Sequence, residues 1–141
     1  MTVLMSGCFD PLHSGHVRFI QAVTRHWPTA TILCAVEPDE ELARRKGRPA
    51  CLPDTMRADV LRAFGLTVTV STATELLAEY GAGIDIYAST MEWKHRLPAE
   101  LLALCHEHDV LVSLLDTPRL ASSTQLLDAY CTKRQAVERV H

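Results

Sequence analysis

Ser6-Gly7-Cys8-Phe9-Asp10-Pro11-Leu12-His13-Ser14-Gly15-His16 is the stretch on which the fold turns. Residues 2–5 before it are a short apolar run. After it, Val17, Ile20, Val23 and Trp27 recur at helical spacing over residues 15–27. The stretch is therefore a loop that leaves a buried strand and enters a helix N-terminus. The same alternation continues along the chain. Strands are expected at 30–36, 66–70, 84–88 and 110–115, and helices at 39–45, 54–64, 72–80, 98–108 and from 122 toward the C-terminus. The strands read as apolar throughout, which is the pattern of a parallel sheet covered on both faces.

Local signals punctuate these elements. Asp54 is the expected N-cap of the third helix, with Met56, Val60, Leu61 and Phe64 facing inward. Gly47, Pro49 and Pro53 make residues 46–53 a loop. Thr72 and Glu75 have the spacing of a capping box, and Ser122 and Gln125 open the last helix in the same way.

Composition narrows the function classes. The 141 residues fit a single domain on the usual range of about 100–200 residues per domain. A hydrophobic share of 48% against 22% charged residues excludes intrinsic disorder. Fourteen Lys+Arg against seventeen Asp+Glu, a net charge of −3, give no basic field for nucleic acid. No apolar run is long enough to span a membrane, and the N-terminus shows no signal peptide pattern. Cys8, Cys34, Cys51, Cys105 and Cys131 are odd in number and never at C-x-x-C spacing, which argues against a disulfide framework or a zinc ribbon. The expected setting is the cytoplasm, with reduced thiols.

In open α/β sheets ligands bind beyond the carboxyl ends of the strands, here residues 6–16, 37–48, 71–74, 89–96 and 116–124. The first of these loops meets a helix start, where unpaired N–H groups and the helix dipole favour an anion. Gly7 allows a tight turn there and Gly15 removes a side chain where a phosphate would approach. His13 and His16, three apart, point to one side. Two such donors suit charge building up at phosphorus, a chemistry of positioning and electrostatics. The H-x-x-H spacing lacks the glutamate and the i,i+4 register of a zinc helix, so no metal ligands are assigned. Arg44-Arg45-Lys46-Gly47-Arg48 puts four cations in five residues on the ligand side, although such runs are often solvated faces. Ser122-Ser123-Thr124 is a second helix start; serine there is also what any helix favours.

Gly7-x-Phe9-Asp10-x-x-His13-x-Gly15-His16 resembles the signature of the cytidylyltransferase-like nucleotidyltransferases, in particular their glycerol-3-phosphate cytidylyltransferase, ADP-heptose synthase and FAD synthetase-like branch. The resemblance extends over about residues 2–128. It implies a Rossmann-like three-layer fold and the transfer of CMP or AMP from CTP or ATP, with Mg²⁺, to a small phosphorylated acceptor such as a polyol or sugar phosphate. Pyrophosphate is the by-product, and a homodimer is compatible. On that likeness His13, His16 and Lys46 are catalytic, with residues 46–53 a possible lid. Gly7, Cys8, Phe9, Asp10, Gly15, Glu92, Ser122, Ser123 and Thr124 contact the nucleotide. Arg48, Arg57, Trp93 and Arg119 hold the acceptor or its phosphate. The sequence departs from the family pattern at Gly65 and Thr117, where arginines are expected, and at Thr90-Met91. The alternative is a non-catalytic nucleotide-binding or regulatory module of the same fold.

Overall fold

The computed structural model describes residues 1–117 and 122–140, with side chains to Val137. Five strands, β1 (Thr2–Gly7), β2 (Thr31–Val36), β3 (Thr67–Val70), β4 (Ile86–Thr90) and β5 (Leu111–Leu115), form one sheet in the order β3-β2-β1-β4-β5. Every pairing is parallel. Helices α1 (Ser14–His26), α2 (Asp39–Lys46), α3 (Asp54–Arg62), α4 (Ala73–Tyr80), α5 (Ala99–Glu107) and α6 (Ser123–Val140) connect and flank the strands. The order reverses at β1, so the carboxyl ends of β1, β2 and β4 open a crevice at the switch point.

Alternation along the central strands sends side chains into two cores. On one face Val3, Met5, Cys34, Val36, Ile86 and Ala88 pack with α1 and α3 through Phe19, Ile20, Val23, Ala58 and Leu61. On the other, Leu4, Ala35 and Tyr87 pack with α4 and α5 through Ala73, Leu76, Leu77, Leu101 and Cys105. This is the expected Rossmann-like α/β architecture. The strands are not all apolar on both faces, however. In the edge strand β3, Thr67 and Thr69 are exposed, and in the other edge strand Leu111 is 64% exposed. The three inner strands are the best covered, with Thr31 of β2 exposed at its start. The fourth strand begins at Ile86, two residues later than its composition suggests.

The third helix also differs from expectation. Its N-cap is Pro53, and Asp54 is its first residue. Asp54 Oδ2 instead accepts the backbone N–H of Asp39 at 3.0 Å, and Asp39 Oδ1 accepts that of Asp54 at 2.9 Å. The N-termini of α2 and α3 thus cap each other. Helix α3 ends at Arg62, two residues short of expectation; its buried face carries Arg57, Ala58 and Leu61, while Met56, Val60 and, in the turn beyond, Phe64 are exposed. Arg57 rotates the helix: its guanidinium finds four partners inward, so the i, i+4 apolar stripe faces out. The box of Thr72 and Glu75 forms as expected, as does the bond from Gln125 N–H to Ser122 Oγ.

Candidate active site

The loop from β1 to α1 is built around a close approach. Phe9 is 2% exposed and has φ 52°. Its ring lies against Gly7, where an added Cβ would meet Phe9 Cζ at 3.0 Å. A side chain at position 7 would crowd that ring. The Asp10–Pro11 peptide is cis. Asp10 is fully buried and does not line the cavity described below. Its carboxylate accepts from Arg48 at 2.9 Å and from the N–H groups of Cys51 and Leu52 at 2.8 and 2.9 Å. Burial alone would raise its pKa, but these bonds and the charge of Arg48 outweigh it and hold the carboxyl below its ordinary value.

Asp10 thus fastens residues 48–52 to the motif loop, and the lid expected over 46–53 is a pinned strap at these positions. Arg57, 2% exposed, completes the fastening. It donates to the carbonyls of Leu52, Cys8 and Glu37 at 2.9, 2.7 and 2.9 Å, and to Asp39 Oδ1 at 2.6 Å. Every guanidinium nitrogen is engaged inside the protein. The sequence placed Arg48 and Arg57 on an acceptor; the fold engages both with its own loops, and neither lines the cavity.

His13 is the N-cap of α1, and the cap is made of imidazoles. His13 Nδ1 accepts the N–H of Gly15 at 3.1 Å, and His16 Nδ1 accepts the N–H of His13 at 3.1 Å. The rings stack with centroids 3.8 Å apart. With Nδ1 engaged as an acceptor, Nε2 is the donating edge of each ring. Burial, with His13 and Lys46 opposing a further positive charge, lowers the pKa of His16 from 6.5 to about 4. At neutral pH His16 is therefore a neutral donor.

These rings line a cavity of about 410 Å³ at the crevice. Gly7, Cys8, Phe9 and Gly15 line it from the motif loop, Lys46 from the end of α2, Glu92 and Trp93 from the segment after β4, and Ser122 and Ser123 from the start of α6. Lys46 is the last residue of α2, which ends at Gly47 in the left-handed conformation, φ 67°. Ser123 donates to the carbonyl of Pro11 at 2.9 Å, so the two helix starts are tied together. Thr124 is exposed and outside the cavity lining. Arg119 lies outside the described residues.

The cavity also holds residues to which sequence reading assigned no site role, most of them within the loops expected on the ligand side. Ser6 and Tyr87 share a hydrogen bond of 2.9 Å. Ser6, Tyr87 and Ser89 lie on the sheet face toward α4 and α5, and with Ser71, Thr72 and Thr74 they give that side of the cavity a floor of hydroxyls. Thr90 Oγ1, also at the cavity, is buried with no hydrogen-bond partner among the described residues. Arg45 lines the opposite side, paired with Glu37. Parallel register could have found the hydroxyls, since Leu4 pairs with Tyr87 and Ser6 is two residues further on. Among the described residues no cluster of three or more His, Cys, Asp or Glu could hold a metal ion. No described helix is long and apolar enough to cross a membrane.

Two linked helix starts, a pair of imidazoles and a lysine thus meet at the switch-point crevice of a Rossmann-like α/β fold. A family model described as cytidylyltransferase-like matches residues 4–135, and the chain belongs to that family. Two curated relatives are the FAD synthases of Pyrococcus abyssi and Pyrococcus horikoshii, 39% and 38% identical over 62 residues. That stretch is 44% of this chain and spans only 40% of the length of each relative. Among solved structures, the lipopolysaccharide core biosynthesis protein of Thermoplasma volcanium superposes with a TM-score of 0.64 at 16% identity, over 86% of this chain and 98% of that one. A protein of unknown function from Archaeoglobus fulgidus gives 0.60 at 16% identity, over 85% and 96%. At that identity the likeness is one of fold.

Proposed function

We propose that the protein is a nucleotidyltransferase that moves CMP or AMP from CTP or ATP to a small phosphorylated acceptor. The observation that carries this reading is the reciprocal imidazole cap at a helix N-terminus, whose two rings line the cavity that Lys46 also lines. In the reaction an oxygen of the acceptor phosphate attacks the α-phosphorus. A P–O bond forms there as the bond to the α,β-bridging oxygen breaks, and pyrophosphate leaves with the electron pair. A dianionic acceptor phosphate has no proton to lose, so no general base is needed. His13, His16 and Lys46 stabilise the charge on the phosphoryl oxygens in flight. Ser122, at the start of α6, offers its hydroxyl proton to the outer phosphates, alongside the N–H groups of that helix start, while the Ser123 hydroxyl holds Pro11. Mg²⁺ enters with the nucleotide as its counter-ion and belongs to the substrate.

The hydroxyl floor of Ser6, Tyr87 and Ser89 suits a neutral, hydroxylated acceptor body of the polyol or sugar type. The FAD synthases among the relatives make AMP the group to test beside CMP. The test is pyrophosphate release from each of CTP, ATP, GTP and UTP with Mg²⁺, across a panel of polyol, sugar and flavin phosphates. Release with one nucleotide, abolished in His16→Ala, is the expected result. Nucleotide binding without release from any acceptor would favour the non-catalytic module.

A further inference from the structure

Glu37 and Arg45 face each other inside the cavity. Arg45 Nε and NH2 donate to the two carboxylate oxygens of Glu37 at 2.8 and 2.6 Å, a bidentate pair. The two ends of this pair differ in freedom. Glu37 is held by its backbone on both sides: its N–H donates to the carbonyl of Gly7 at 3.0 Å and its carbonyl accepts from Arg57 at 2.9 Å. Its side chain is 15% exposed, whereas that of Arg45 is 49% exposed. Arg45 is on the last turn of α2, next to Lys46, and the thiol of Cys8 in the motif loop is a lesser partner of its guanidinium.

The charges explain why the pair matters. Among the described Lys, Arg, Asp and Glu residues lining the cavity, Glu37 and Glu92 equal Arg45 and Lys46 in number. A carboxylate fixed beside a polyphosphate repels it, and its bidentate hold on a guanidinium competes with phosphate for the same fork of donors. We propose that Arg45 is a further polyphosphate-binding residue that exchanges the Glu37 carboxylate for phosphate oxygens when nucleotide binds. Glu37 keeps the guanidinium at the cavity wall and sets the strength of binding by competing for it. The inference rests on the nucleotide reading above.

The exchange gives the two partners effects of opposite sign. Binding of inorganic tripolyphosphate and of Mg·ATP and Mg·CTP is measured by calorimetry on the full chain, with thermal melting to confirm folding. Arg45→Gln is expected to weaken binding about tenfold, the scale of one lost charged hydrogen-bonded contact. Glu37→Gln keeps the size of the side chain and is expected to tighten binding severalfold. Arg45→Lys keeps the charge and is expected to fall between Arg45→Gln and the parent. Arg44→Gln serves as the control for general charge: Arg44 is paired with Glu41 outside the cavity, and a change under twofold is expected. Weaker or unchanged binding in Glu37→Gln overturns the exchange. No binding of any of the three ligands to the parent overturns the nucleotide reading and the exchange with it.

Discussion

Arg57 donates to the carbonyl of Cys8 across 49 positions of sequence, at 2.7 Å, and through that bond α3 holds the loop that carries the histidine pair. The same guanidinium holds Leu52, Glu37 and Asp39. Arg57→Met takes that donor from three carbonyls and leaves Asp39 Oδ1 with the N–H of Asp54. It is expected to cost about 3 kcal/mol, which lowers the melting temperature by about 10 °C. Thermal unfolding of the variant measures this, and a fall of only a degree or two would show that the loops are held by other means.

His16→Ala removes one of the two donors at the head of α1. Turnover is expected to fall about 100–1,000-fold, with nucleotide KM changed far less. Steady-state pyrophosphate release separates the two parameters. A raised KM with kcat unchanged would make His16 a ground-state ligand and no more.

Acid should unfold the protein along a slope set by His16. The group titrates near 4 in the folded chain and at 6.5 when free. Between those values the unfolded chain takes up a proton that the folded chain refuses. Stability is therefore complete above pH 6.5 and falls as pH drops toward 4, by about 3 kcal/mol in all. Asp10, whose folded pKa lies below 3.8, adds a loss of the same sign at lower pH. Urea midpoints at pH 7 and 4.5 test this, and His16→Gln is expected to flatten the difference.

The outward stripe of α3 tolerates change. Met56→Gln, Val60→Lys and Phe64→Gln are each expected to alter stability by about 0.5 kcal/mol or less. Leu61→Ala, one position from Val60 but buried, is expected to cost about 2–5 kcal/mol. A large loss at Val60 or Phe64 would place the stripe in contact with something in solution.

Strand and helix order was legible in the sequence because apolar runs and helical spacing survive without tertiary information. The crevice was legible too, since a strand running into Gly15 and His16 can only be a ligand-side loop. Reading failed where an ionic group overrode a hydrophobic pattern. Met56, Val60 and Phe64 have the spacing of a buried face, but the inward partners of Arg57 turn them outward. The family likeness put Asp10 on the nucleotide and Arg48 on the acceptor or its phosphate. Their pairing across 38 positions is a tertiary fact that no local pattern carries. Arg45 stood within the basic run that the sequence marked, yet only the fold separates it from Arg44, which points away from the cavity.

The cavity is walled by two materials. On the α1 and α3 side the loops around it are riveted by Asp10, Arg48 and Arg57, whose bonds have fixed directions and no near substitutes. On the α4 and α5 side, Leu97, Pro98, Leu101 and the hydroxyls of β4 depend chiefly on shape. The molecule therefore behaves as a chuck and an interchangeable jaw. Libraries directed at residues 89–101 can redraw what the jaw grips while the histidine end keeps its geometry, and the same number of changes spread over residues 8–16 and 48–57 would leave few folded members.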